Sequence, residues 1–478
     1  MSGDVTDRKR LIAITDGDIR NGNLRVSSHD EFFPRDAFGP SNRKSGTAKQ
    51  LTFKLEPGDA VVVSDLAARG GHRYLIRERR GLKNYFGRQE FRAGDVIAIE
   101  KLGDYSYRVY PFESKAVRSG TDIPDHWPEP DEDTPTSIDL FAGCGGFSYG
   151  LHQAGFQTLL AVEWDAACCR TFETNISRRI LNCAIQEIEN FPECDLLVGG
   201  PPCQGFSNLG ERVPDDPRRQ LWRHYLRAVE DAHPYIFIME NVPPILKSGE
   251  YREIVSAAKS MGYEIDGKVL NSAHYGVPQQ RKRAIIIGSR IGDPRFPDPT
   301  HRNPDAAPTF GETDLPAWRT VWDAIGDMAP EPDGENWHIG RNPTELSMRR
   351  YRAVPPGGNR FDLPKELLPQ CWIRKKRGGT DLMGRLWWDR PSVTIRTEFY
   401  KPEKGRYLHP VEHRPITHRE AARLQGFPDD FDFKGKKIEV GIQIGNAVPP
   451  PLGYRIGLAA RAEIDTYQER EAQVARSA

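Results

Sequence analysis

Cysteine is scarce in this chain and poorly arranged for structural chemistry. The 478 residues hold seven, Cys144, Cys168, Cys169, Cys183, Cys194, Cys203 and Cys371, with no paired C-x-x-C motifs and no His-x-x-x-His partner. That pattern supports neither a structural zinc nor a disulfide framework, and no metal site is expected. Long apolar runs are missing as well, so nothing spans a bilayer. The opening MSGDVTDRKRLIAITDGD lacks an apolar core followed by a small-residue cleavage site. The expectation is a cytoplasmic protein with no membrane partner. Net charge is also absent, because Lys+Arg and Asp+Glu are both 67. No global basic field announces nucleic acid, although local patches can still neutralise phosphates.

What is present suits a globular chain of two or three folded units. Residues 121–135, TDIPDHWPEPDEDTP, are rich in proline and acid, lack hydrophobic periodicity and read as a linker. Before it, residues 1–120 carry short β-rich runs at Asp59–Val63, Arg73–Ile76, Asp95–Ile99 and Tyr105–Val109, which predict a mainly-β barrel or sandwich. After it, in 136–288, apolar strands alternate with helix-length segments at 146–155, 165–175, 218–232 and 251–261. Such alternation predicts a doubly wound, Rossmann-like parallel α/β sheet, whose ligands sit beyond the carboxyl ends of its strands. From about 289 to 389 the alternation fails, and residues 289–440 are expected to hold an inserted module, at about 331–389, and a return segment. Residues 441–478 then complete the sheet-bearing unit.

Four clusters carry chemistry, each at a strand end. Asp139-Leu140-Phe141-Ala142-Gly143-Cys144-Gly145-Gly146-Phe147 is a strand entering a glycine turn, and the next strand ends in Glu163-Trp164. Glycines let a ligand approach the backbone, and an acid there can accept from ribose hydroxyls, which suggests a nucleoside cofactor. A plain tight turn and a nicotinamide enzyme fit the same pattern. In Gly199-Gly200-Pro201-Pro202-Cys203-Gln204-Gly205-Phe206-Ser207 a thiol follows two prolines and precedes a glycine-bracketed loop. It is a candidate nucleophile, with a structural free cysteine as the alternative. Glu240 in MENV leaves an apolar strand, where partial desolvation suits proton donation and a capping role is equally open. In GVPQQRKR, Arg281 and Arg283 stand two apart and are expected on one strand face, suited to an anionic or carbonyl-bearing substrate or to a solvated edge.

Taken in order, DLFAGCGGFSYGL, EWD, GGPPCQGFS, MENV, GVPQQRKR, RPSVTIRT, REAARLQGFPDDF and QIGNAVPP resemble the successive motifs of the DNA (cytosine-5)-methyltransferase family, over about 136–460. The resemblance implies an S-adenosyl-L-methionine pocket made by Phe141, Gly143, Gly145, Glu163, Trp164, Ile185, Pro201, Leu221 and Asn446. The family usually has Asp-Ile after the third strand; here Ala184-Ile185 stands instead, with no aspartate, so the resemblance leaves the contact to the adenine amino group to the backbone. It further implies Cys203 as nucleophile on cytosine C6, Glu240 at N3 and Arg283 at O2, with Arg281 and Gln279 buttressing the pocket. The target cytosine would be flipped out of double-stranded DNA. A monomeric modification enzyme with a cognate restriction endonuclease is the implied setting; a tRNA enzyme of the same superfamily and a silent DNA-reading module are the alternatives.

Sequence choice would fall to the inserted target-recognition region, where Arg374, Lys375, Lys376 and Arg377 beside Trp372 are candidate DNA contacts. The N-terminal part, through FFPRDAFG, GLKNYFGRQEF and AGDVIAIEKLGDYSYRVY, resembles a B3-type DNA-binding pseudobarrel. Basic residues at 73, 77, 79, 80, 83 and 88, interleaved with Tyr74, Tyr85 and Phe86, would suit backbone contact there.

Overall fold

The computed structural model describes residues 9–14, 16–27, 32–40, 48–58, 60–70, 73–76, 78–89, 91, 95–112, 134–202, 221–307, 314–374 and 379–477. Cys203 with its following loop, linker residues 121–133, Arg77 and Lys375 to Arg377 lie outside the described residues.

The N-terminal part runs β1 (Lys9–Ala13), α1 (Asp16–Asn21), β2 (Arg25–Ser27), β3 (Phe38–Gly39), β4 (Leu51–Leu55), β5 (Ala60–Ser64), β6 (Leu66–Gly70), β7 (Arg73–Ile76), α2 (Arg80–Arg88), β8 (Val96–Gly103) and β9 (Ser106–Pro111). Alternation builds these strands: in β4, Leu51, Phe53 and Leu55 are buried while Lys54 is exposed. One sheet has the order β2-β7-β6-β3, and a second contains β1-β8-β9-β4-β5. Phe33, Phe53, Leu66, Phe86, Ile97 and Tyr107 share the apolar core of this part. Here the expectation for two aromatics is corrected. Tyr85 and Phe86 are 4% and 1% exposed, and the Tyr85 hydroxyl donates to the Glu56 carbonyl at 2.6 Å. They form the apolar stripe of α2 with Leu82 and are closed to nucleic acid, whereas Arg79, Arg80, Lys83 and Arg88 are exposed.

The next part runs β10 (Thr136–Leu140), α3 (Gly146–Gln153), β11 (Gln157–Glu163), α4 (Ala166–Asn175), β12 (Ile180–Asn182), β13 (Ile188–Asn190), β14 (Leu196–Gly199), α5 (Leu221–Ala232), β15 (Ile236–Asn241), α6 (Gly249–Ser260), β16 (Glu264–Asn271) and β17 (Lys282–Ser289). Its seven-stranded sheet has the order β12-β11-β10-β14-β15-β17-β16. The first five strands are parallel, and β17 is antiparallel to both its neighbours. The sheet is therefore mixed rather than wholly parallel. Strands covered on both faces, such as Leu196-Leu197-Val198 and Ile285-Ile286-Ile287, are continuous apolar runs. Edge strand β16 carries Glu264, Asp266, Gly267 and Lys268, a polar pattern that hides it in the sequence.

Strand β13 leaves this sheet and pairs in parallel with β1, Leu11 opposite Ile188 and Ile12 opposite Asn190. Leu11, Val96 and Ala98 consequently share a core cluster with Leu140, Leu181, Ile185 and Ile188.

The remaining elements are α7 (Val321–Ile325), α8 (Glu345–Ala353), α9 (Gln370–Arg374), β18 (Gly384–Arg385), β19 (Arg406–Leu408), α10 (His418–Gln425), α11 (Lys437–Asn446) and α12 (Pro450–Ser477). Where regular structure is sparse, buried arginines satisfy the backbone: Arg385 donates to the carbonyls of Tyr351, Val354, His409 and Glu412. Helix α12 lies on α3, Leu452 and Ile456 packing in one cluster with Phe147 and Leu151, which returns the end of the chain to the glycine turn. No helix among the described residues is long and apolar enough to cross a membrane.

Candidate active site

Strand register collects the candidate residues along one edge. Leu140 is paired with Val162 on one side and Gly199 on the other, and Gly199 with Met239. The residues that follow, Phe141, Glu163, Gly200 and Glu240, therefore leave the sheet side by side at its carboxyl end. Phe141, Gly143 and Gly145 have φ of 59°, 56° and 90°, the left-handed region that permits the sharp turn into α3. A Cβ at Gly145 would lie 2.0 Å from Ile176 Cδ1, whereas one at Gly143 would meet nothing within 4 Å. Gly145 is thus set by packing, and Gly143 borders open space.

Glu163 is 6% exposed. Its Oε2 accepts from the Gly143 N–H at 2.9 Å and its Oε1 from the Asp165 N–H at 2.8 Å. Burial pushes this carboxyl's pKa up, and the two N–H groups pull it back. Each oxygen keeps acceptor capacity for a hydroxyl. Beside it Trp164 is 79% exposed, the most open of the large apolar side chains among the described residues. Asn182, opposite Glu163 in β12, donates from Nδ2 to the Trp164 carbonyl at 2.8 Å. Asp165 caps α4 by accepting from the N–H groups of Ala167 and Cys168, which fixes where the helix begins. Asn446, at the end of α11, is exposed. Ile185 and Leu221 are turned into the core, so their side chains are closed to a ligand.

Beneath the turn, Asp139 is buried and accepts from Ser148 Oγ at 2.6 Å. Burial pushes its carboxyl up to about 7, against the hydrogen bond. Since this folded pKa lies above the unfolded value of about 3.9, the associated stability is complete below pH ~4 and is lost as pH rises towards 7. While the group titrates, its slope approaches ~1.4 kcal/mol per pH unit. Asp139→Asn keeps an acceptor for Ser148 and removes this term. Denaturant unfolding at pH 5 and pH 8 is expected to show a smaller difference in the variant, which becomes the more stable protein at pH 8.

The other half of the edge is anionic and cationic at once. Arg283 Nε lies 2.8 Å from Glu240 Oε1, and the two side chains are only 17% and 13% exposed. A Cβ at Gly200 would sit 3.1 Å from Glu240 Oε2. Asn241 donates from Nδ2 to the Pro201 carbonyl at 3.1 Å, tying the end of β14 to the end of β15. The segment leading to Cys203 thus departs beside the Glu240 carboxylate.

Arg281, just before β17, is buried and donates to the carbonyls of Ile395 at 3.2 Å, Gly445 at 3.0 Å and Asn446 at 3.3 Å. It lies close enough to feel the charges of Arg283 and Glu240. Arg283 pairs with Glu240, and Arg281 clamps the returning chain. Gln279 is equally buried, donating to the Leu424 carbonyl and Gln425 and accepting from the Ile395 N–H at 2.9 Å. Both residues join 279–283 to α10 and α11.

The thiols are sorted by burial. Cys144, Cys168, Cys169 and Cys183 are buried, and desolvation raises each pKa, that of Cys144 to about 12. Cys194 is raised in the same way, and Cys371 is exposed on α9. None of these six stands at the carboxyl edge beside Glu240.

Residues 136–461 match the model of the C-5 cytosine-specific DNA methylase family, about two thirds of the chain. The chain belongs to this family. A relative from Haemophilus parahaemolyticus, "Type II methyltransferase M1.HphI", is 37% identical over 344 residues, 68% of this chain and 86% of the relative. "Type II methylase M.HgiDII" of Herpetosiphon aurantiacus is 32% identical over 357 residues, covering 70% of this chain and 97% of its own. "Type II methyltransferase M.NgoFVII" of Neisseria gonorrhoeae is 35% identical, covering 66% and 83%. Strands β1 to β9 precede the methylase region.

Within that region, two asparagines escaped the sequence reading. Asn241 stands directly after Glu240 in an otherwise apolar strand, a usable signal. Asn182 sits in a three-residue strand with no periodicity to flag it.

Proposed function

We propose that this DNA cytosine-5 methyltransferase forms a covalent adduct between Cys203 and C6 of a cytosine flipped out of duplex DNA, with S-adenosyl-L-methionine as methyl donor. The observation that supports the reading is the single row of strand ends that carries Glu163, Phe141, Gly200 and then Glu240 with Arg283 along one edge of the sheet. The Glu163 end of that edge suits a nucleoside: open space at Gly143, a solvent-facing indole at Trp164 to cover a base, a carboxylate at Glu163 for ribose hydroxyls, and an exposed Asn446 amide. Phe141, Gly145 and Pro201 line the turns that would enclose it. When bound, S-adenosyl-L-methionine supplies an electrophilic methyl group to C5.

The chain's own residues prepare the base. Addition of the Cys203 thiolate to C6 pushes electron density onto C5, which is otherwise a poor nucleophile. Glu240 protonates or hydrogen-bonds N3 and so neutralises the charge that develops in the ring, and Arg283 holds the O2 carbonyl while orienting Glu240. Loss of the C5 proton, with departure of the Cys203 sulfur, restores aromaticity. Base flipping costs a few kcal/mol, offset by contacts in the pocket.

The type II names of the relatives support a modification enzyme working beside a cognate restriction endonuclease. Exposed Arg374, and Arg79, Arg80, Lys83 and Arg88 along α2, support DNA backbone contact by the recognition region and by a B3-like N-terminal unit. The test is expression in a host free of cytosine methylation, followed by bisulfite sequencing. One enriched motif containing 5-methylcytosine is expected, with no label transferred to tRNA in vitro; genomic DNA without 5-methylcytosine would overturn the reading.

A further inference from the structure

The N-terminal strands precede the methylase region, yet one of them, β1, begins beside the turn that follows β12. Only five residues, Cys183 to Glu187, separate Asn182, which is paired with Glu163, from Ile188, which is paired with Leu11 of β1. This short turn leaves the strand end beside Glu163, the Cys183 N–H donating to the Glu163 carbonyl at 3.1 Å, and is strung between two sheets. Ala184 has no polar side chain and Ile185 is buried, so the turn acts mainly through where its backbone is held.

Beside its backbone hydrogen bonds, three side-chain contacts hold it. Glu187 Oε1 accepts from the Ala184 N–H at 3.0 Å, and Arg227 Nη2 donates to the Ile185 carbonyl at 3.1 Å. The third comes from the N-terminal strand: Lys9 Nζ lies 3.5 Å from Glu187 Oε2 and also over the Phe112 ring at 4.6 Å. Next along β1, Arg10 lies 3.8 Å from Glu189, with both side chains almost fully buried. Lys9 thus fixes, through one carboxylate, the side chain that closes the turn.

We propose, on the reading that the Glu163 strand end takes the nucleoside of S-adenosyl-L-methionine, that Lys9 and Glu187 are positioning residues for the cofactor. The N-terminal sheet is then part of the cofactor site, and cofactor affinity depends on a residue outside the methylase region.

Calorimetric titration of the full chain with S-adenosylhomocysteine tests this. Lys9→Met is expected to weaken binding about threefold, as for a partly exposed ion pair. Glu187→Ala, which also frees the Ala184 N–H, is expected to weaken it about tenfold. Lys9→Arg restores affinity to within about twofold of the parent, and Lys9→Met adds nothing on the Glu187→Ala background. The KM for cofactor rises with Kd while kcat at saturating cofactor and the KM for DNA hold, and melting temperatures stay together. Unchanged affinity in Lys9→Met and Glu187→Ala, when the parent binds, would overturn the proposal alone. Loss of affinity that tracks a lowered melting temperature, or that Lys9→Arg fails to restore, would also overturn it. A parent chain that binds no S-adenosylhomocysteine would overturn it together with the cofactor reading.

Discussion

Cys203→Ser is expected to lower methyl transfer by about 10⁴-fold or more, the scale at which removing a covalent nucleophile acts. A hydroxyl occupies nearly the same volume but is a far weaker nucleophile than a thiolate at neutral pH, so the addition to C6 is lost while DNA binding stays. Duplex DNA carrying 5-fluorocytosine at the target gives the sharper readout. Fluorine at C5 blocks proton loss and hence release of the sulfur, so the parent enzyme is held as a denaturant-stable adduct with DNA. Cys203→Ser gives no such band. The six other thiols provide the control: Cys194 and the four buried ones are raised in pKa by desolvation, and Cys371 stands on α9, so Cys371→Ser is expected to keep the adduct. An adduct that survives Cys203→Ser would defeat the nucleophile assignment.

How far the sequence discloses this arrangement depends on the range of each interaction. Strands buried on both faces, such as Ile236 to Met239, declare themselves as unbroken apolar runs, and the chemistry begins where those runs stop. Edge strand β16 is half solvated and charged, so it lacks that signature. Strand β13 is three residues long, and its partner β1 is almost 180 positions away. Pairing at that separation leaves no local pattern, which is why the N-terminal part reads as an appendage in the sequence and is woven into the fold in three dimensions.

The same contrast runs through the site. Glu163, Gly143 and Trp164 lie within one β-α-β stretch, and their roles follow from strand ends and turn conformation. Arg281 illustrates the opposite case. Spacing alone offers it to a substrate together with Arg283, but the carbonyls that claim its donors belong to Ile395, Gly445 and Asn446, more than 110 residues downstream. Tyr85 and Phe86 mislead for a related reason: beside arginines and lysines they resemble a stacking surface, yet the helical period turns them inward and the cations outward. Composition marks a cluster, and packing decides which of its members face a partner.

Glu240→Gln is the second large effect, with kcat expected to fall by about 10² to 10³-fold, in line with loss of a positioned acid or an oriented charge-stabilising group. The glutamine amide fills the same space and can still hydrogen-bond, so the loss isolates charge and proton donation. Arg283 decides the interpretation. Its guanidinium is 2.8 Å from Glu240 in a largely desolvated setting, so removing the carboxylate's charge leaves the arginine without its ion-pair partner. If Arg283 served only to orient Glu240, Glu240→Gln with Arg283→Met would be no slower than Glu240→Gln alone. Because Arg283 is also assigned to the base carbonyl, the double variant is expected to be about tenfold slower again and to bind target DNA more weakly. Single-turnover kinetics on one duplex substrate separates these outcomes. Equal rates for the single and double variants would confine Arg283 to a positioning role, and a Glu240→Gln enzyme with undiminished kcat would remove Glu240 from the chemistry.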